Sequence, residues 1–261
     1  MPIGDRDFKA LLVQQEGHLV TLTLNRPEKK NPLSQELVNE LLWALDDAEE
    51  ADNVRVIVLT GAGNAFSAGA DLKGMSSDRG KLEKKGEFDD LLLRFDTLDK
   101  PIIARVPGYV MGGAMGIVAC CHLVVACESA IFATPEIKRG LFPMMIMAVL
   151  QRVIQPRDLL ELMLVGERIS AAKAKQIGLV TEVVPDDQLD ARVAELATQL
   201  AKQSPMAMRM GLHAYNAQRR MPVEKALPYL REQLYALLNT EDAKEGLAAF
   251  FQKREPEWKG R

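Results

Sequence analysis

Two glycine-containing turns, GAGNAFSAGADLK and GYVMGGAMG, each follow an apolar run, VRVIVLT in the first case and PIIARV in the second. The stretch FSAGADLK within the first contains almost nothing reactive. Turns of this kind leave peptide N–H groups unpaired and pointing outward, and small side chains let a ligand approach the main chain. Two such turns supply two donors able to converge on one oxygen, which holds negative charge without any reactive side chain. A proton acceptor would have to accompany them, and Glu136, in ATPEIKRG, is one candidate that follows an apolar strand, where burial raises carboxyl proton affinity. Read by residue type alone, Glu136 is an ordinary exposed glutamate at a helix start, and the glycine turns are as often packing devices as sites.

Other chemistries fit less well. GAGNAF has phenylalanine where a dinucleotide fingerprint needs its third glycine, and GGAMG lacks the lysine and hydroxyl residue of a P-loop. Cys120, Cys121 and Cys127 lie in the apolar run IVACCHLVVAC and form neither a disulfide framework nor a metal knuckle, so a reducing, cytoplasmic home is expected and no metal. His122 reads as structural, and His18 and His213 have no companions. With 33 basic and 36 acidic residues and a net charge of -3, the chain has no positive excess to hold nucleic acid or an anionic membrane. No stretch approaches the roughly 18 apolar residues of a membrane span, and the first residues lack a signal-peptide pattern.

These residues need elements to position them. LVTLTLN (19–25) alternates as a strand, and a helix follows behind Ser34 as cap. VRVIVLTG (54–61) is a continuous β-branched run suited to a parallel strand buried on both faces; PIIARVPG and HLVVACESAIFAT are read the same way, which makes the first half βαβ-like. Beyond about residue 145 only GLVTEVV (178–184) reads as a strand. Helices take over, among them SAAKAKQIG, DDQLDARVAELATQLAKQ and TEDAKEGLAAFFQKR. Residues 74–90, polar and glycine-punctuated, read as the most mobile stretch.

FSAGADLK, KPIIARVPGYVMGGAMG and FATPEIKRGLFP together resemble the crotonase, or enoyl-CoA hydratase/isomerase, superfamily. LTLNRPEKKNPLS, GERISAAKAKQIGLVTEVVP and GLAAFFQKREPEWKG are similar to it as well, in order along nearly the whole chain. The resemblance implies an α/β fold with a ββα spiral core over residues 1–195 and a helical C-terminal layer over 196–261. It implies an oxyanion hole from the N–H groups of Ala70 and Gly113, with Glu136 as acid/base. Ala68, Asp71, Leu72, Lys73 and Gly112 would lie along the bound acyl-CoA, coenzyme A entering only as part of the substrate. Asp71 has a plainer role as a helix cap, and Lys73 has no basis for choosing between phosphate and water.

Hydratases of the family usually employ a second glutamate three residues after the second oxyanion glycine, where this chain has Gly116. One carboxylate suffices to carry a proton from C2 to C4, so the expectation is 3-enoyl to 2-enoyl-CoA isomerisation. Single-glutamate hydration, decarboxylation and thioester hydrolysis stay open, as does a noncatalytic acyl-CoA-binding protein. MMIMAVLQR places methionines where an acyl-pocket wall would stand, although by spacing alone such a stripe is more often core. The resemblance also implies a homotrimer or a hexamer of paired trimers, with Lys253 or Lys259 reaching a cofactor phosphate.

Overall fold

The computed structural model of the protein describes residues 6–71 and 84–261. The chain builds strands in pairs, one for each of two sheets. β1 (Leu11–Glu16) and β2 (Leu19–Leu24) form an antiparallel hairpin; β3 (Val56–Gly61) and β4 (Ala65–Ser67), β5 (Ile102–Val106) and β6 (Tyr109–Met111), and β7 (Leu123–Cys127) and β8 (Ile131–Ala133) follow. The larger sheet has the order β1-β2-β3-β5-β7-β10, where β10 is Glu182–Val184, and is parallel from β2 onward. The smaller sheet runs β4-β6-β8-β9, with β9 at Ile169–Ser170 antiparallel to β8. Each winding thus adds one strand to each sheet, the expected ββα spiral.

The helices α1 (Gln35–Glu50), α2 (Phe88–Asp96), α3 (Gly113–Cys120), α4 (Met144–Leu150), α5 (Pro156–Val165), α6 (Ala171–Gln176) and α7 (Leu189–Ala201) pack on or beside these sheets. The Ser34 hydroxyl caps α1 by accepting the Leu37 N–H, and the helix buries Leu37, Leu41 and Leu45 in the core. β3 is buried at every position, as its unbroken apolar run requires between covered faces. α7 lies over β3, β5 and β7.

Three departures from the sequence reading have physical causes. The glycine turns are not plain strand-to-helix links, because each contains a three-residue strand, β4 or β6, too short to show a period. HLVVACESAIFAT is two strands in different sheets, broken at 128–130. Residues 74–83 of the stretch read as mobile lie outside the described residues, but Phe88–Asp90 open α2. There Glu87 and Asp90 form a reciprocal capping box, so their polarity marks a helix start.

The last helices, α8 (Pro205–Gln218), α9 (Val223–Leu238) and α10 (Glu241–Gln252), form the C-terminal layer. From Ser204 onward only Ser204, Ala214, Ala226, Asp242 and Ala249 are buried. No helix among the described residues is long and apolar enough to cross a membrane.

Candidate active site

The carboxyl ends of β4, β6 and β8 lie side by side, since these three strands are neighbouring and parallel. Adjacent strands stand about 4.8 Å apart, so whatever follows each strand is delivered to one edge of the small sheet. Ala68–Asp71 follows β4, Gly112–Gly113 follows β6, and Glu136 follows β8. Residues far apart in sequence therefore meet because of strand order.

The first segment is held by residues 30–33. Ala68 N–H donates to the Lys30 carbonyl at 2.7 Å, Leu33 N–H to Gly69 O at 2.8 Å, and Asp71 N–H to Leu33 O at 3.2 Å. These bonds hold the segment on both sides of Ala70. Gly69 has φ of 86° and lies against the second turn: a Cβ on it would come within 2.6 Å of the Met111 carbonyl oxygen. A glycine is required here on both counts.

The second turn continues the β6–β8 ladder for one residue, Gly112 N–H donating to Ala133 O at 2.9 Å. Gly112 then takes a φ of 53° and caps α3, whose first residue is Gly113. The N–H of a first helical residue has no intrahelical acceptor. Among the described residues no acceptor takes the N–H of Ala70 or of Gly113.

Glu136 sits in a 3₁₀ turn, Pro135–Arg139, begun by the proline. A Cβ on Gly112 would meet Glu136 Oε1 at 2.9 Å, so the carboxylate is seated against the second turn. Its Oε2 is the one buried side-chain polar atom without a hydrogen-bond partner among the described residues. Burial pushes its pKa up, while its own backbone and the Arg139 charge pull the other way. A 3₁₀ turn eclipses residues i and i+3, which puts Arg139 on the face of Glu136.

Gly116, one turn into α3, is pressed against Ile146 of α4: a Cβ there would lie 2.9 Å from Ile146 Cβ. Only hydrogen fits. Of the methionine stripe, Met144 and Met145 are exposed at 63% and 53%, whereas Ile146, Val149 and Leu150 are buried. Leu72 and Lys73 lie outside the described residues. His122 joins β7 to β5, its Nδ1 accepting the Ile102 N–H at 3.0 Å, and burial together with the Arg219 charge pushes its pKa down to about 4. Lys253 ends α10, and the Lys259 N–H is taken by Asp242.

Sequence reasoning missed two residues of this region. Ile146 carries no chemical signal and is noticed only through its contact with Gly116. Asn31 stood in NRPEKKN without a role; the signal was a polar residue in the turn between a strand and a capped helix.

Paired strand windings that bring two main-chain donors and a half-buried glutamate to one sheet edge define the chain as a ββα-spiral protein. The family model described as enoyl-CoA hydratase/isomerase matches residues 14–261, and the chain belongs to that family, within the crotonase superfamily. It is 35% identical to 2,3-dehydroadipyl-CoA hydratase of Escherichia coli over 96% of this chain and 99% of that protein. It is 37% identical to the mevalonyl-coenzyme A hydratase of Aspergillus fumigatus, over 93% and 92% of the two chains. The crystal structure of an enoyl-CoA hydratase from Bacillus anthracis superposes with a TM-score of 0.89 at 32% identity, covering 97% of this chain and all of that one.

Proposed function

We propose that the protein moves a double bond within an acyl-CoA, converting a 3-enoyl into a 2-enoyl thioester with Glu136 as the single proton carrier. In this reading the thioester oxygen lies between the N–H groups of Ala70 and Gly113. Glu136 takes a proton from C2, and the electron pair moves onto that oxygen as an enolate. The carboxyl then delivers the proton to C4 while the double bond forms between C2 and C3, so atoms and charge balance and no water is consumed. Each fixed donor is worth about 3 to 4 kcal/mol to such an oxyanion, and the N-terminus of α3 adds its positive dipole end. Ala68, Asp71 and Gly112, with Leu72 and Lys73 by resemblance, line the coenzyme A portion of the substrate.

The observation that carries this reading is the buried, unpartnered Oε2 of Glu136, on the strand end next to the two that lead to main-chain N–H groups without an acceptor among the described residues. The Gly116–Ile146 contact supports one acid rather than two, because it leaves no room for a second carboxylate. Hydration with Glu136 alone is the second reading, favoured by relatives named as hydratases. Incubation with matched 3-enoyl and 2-enoyl thioesters, followed by mass and chromatographic analysis of products, separates the two: isomerisation conserves mass and hydration adds water. Binding of both thioesters without turnover of either would instead make the protein a noncatalytic acyl-CoA binder.

We also infer a homotrimer or a dimer of trimers. The C-terminal layer buries only small or polar residues, yet exposes Phe250 and Phe251 at 78% each and Leu227 at 64%, more than isolated helices leave in water. Sedimentation as a monomer at working concentration would overturn this.

A further inference from the structure

We propose that Asn31 is a positioning residue for the reaction, acting through the main chain to aim the Ala70 N–H. It is fully buried and has φ of 53°, a left-handed conformation that asparagine tolerates better than other side-chain-bearing residues. Its Nδ2 donates to the Ala62 and Ala65 carbonyls at 2.9 Å each and to Phe66 O at 3.3 Å, and its Oδ1 accepts the Arg26 N–H at 2.9 Å. One side chain therefore gathers the corner between β3 and β4 together with the start of β4.

The flanking main chain extends the grip. Lys30 O takes the Ala68 N–H, Leu33 N–H reaches Gly69 O, and Leu33 O takes the Asp71 N–H. Residues 30–33 thus hold 62–71 at six points that straddle Ala70 and leave its N–H alone. An asparagine serving only its own turn would bond within that turn. Here three of its four contacts cross to the segment that carries Ala70, more than 30 residues later in sequence. Loss of the clamp frees that segment to relax, and a shift of about 1 Å in a catalytic donor costs on the order of a hundredfold in rate.

The inference rests on Ala70 facing the thioester oxygen, and the experiment tests the two separately. The probe is a cinnamoyl-CoA thioester, whose absorption band moves to the red when its carbonyl is hydrogen-bonded and polarised. It is bound to Glu136→Gln protein with and without Asn31→Gly, and folding is followed by circular dichroism and thermal melting. Asn31→Gly is expected to lose most of the red shift while remaining folded, and, with Glu136 intact, to lower kcat about a hundredfold. A full red shift and unchanged kcat, with only a lower Tm, would overturn the positioning role. Absence of any red shift when Asn31 is present would overturn the oxyanion reading and this inference together. Should Asn31→Gly not accumulate folded, Asn31→Ser, which keeps one donor, carries the same test with a partial loss of shift expected.

Discussion

Glu136 and Asp242 are both carboxylates with buried oxygens, and they are treated in opposite ways. Asp242, 1% exposed, accepts from Ser204 Oγ at 2.8 Å, from the N–H groups of Lys259 and Gly260 at 2.7 and 3.0 Å, and from Met206 N–H at 3.4 Å. Burial alone would raise its pKa, but these donors outweigh burial and bring it down. It pins the C-terminal strand of chain and the start of α8 to α10. Glu136 is left with an oxygen that none of the described residues claims. Glu40 shows that the direction of a pKa shift does not separate the cases: burial raises it as well, yet both its oxygens receive N–H groups, from Lys9 and Ala10. The open lone pairs, rather than the burial, set Glu136 apart from the other two carboxylates.

The largest expected effect tests that contrast directly. Glu136→Gln should lower kcat about a thousandfold while a CoA thioester still binds. Because burial raises the pKa of the Glu136 carboxyl and so works against its charged form, removing that charge should raise Tm, which calorimetry reads; wild-type turnover, or a lower Tm, would break the comparison. Asp242→Ala should do the reverse, costing about 3 kcal/mol of stability in denaturant unfolding with kcat per folded molecule nearly unchanged.

Glu40→Gln sharpens the middle case. Two N–H donors would face an amide with one acceptor, so a loss of about 1 to 2 kcal/mol is expected, again without loss of turnover. His122 gives a related effect confined to acid pH. Its folded pKa of about 4 lies below the ordinary 6.5, so its neutral form stabilises the fold above pH 6.5 and that contribution is lost as pH falls toward 4. The amount is roughly 3 kcal/mol. His122→Asn, which retains an acceptor for the Ile102 N–H, should flatten the dependence of stability on pH across that window.

The long elements were legible because their patterns are redundant. β3 is an unbroken β-branched run, and α1, α6 and α10 open on hydroxyl caps that the structure reproduces at Ser34, Ser170 and Thr240. β4, β6 and β9 were not, since such short strands carry no period, and β8 was read only as a continuation of β7. Glu136 was singled out by the resemblance of ATPEIKRG to the family motif, but its unpartnered oxygen could not be foreseen.

The amino-acid sequence by itself determined which residues were available: small residues at two turns, one glutamate, and no acid at position 116. Only the tertiary structure decided that they meet, because the parallel order β4-β6-β8 sets three strand ends at one edge, and that order arises from packing between distant segments. It also decided that Ile146 occupies the space beside Gly116 and that Asn31 reaches across to Phe66. Contacts of that kind depend on how the chain returns upon itself, which no local pattern of residues encodes.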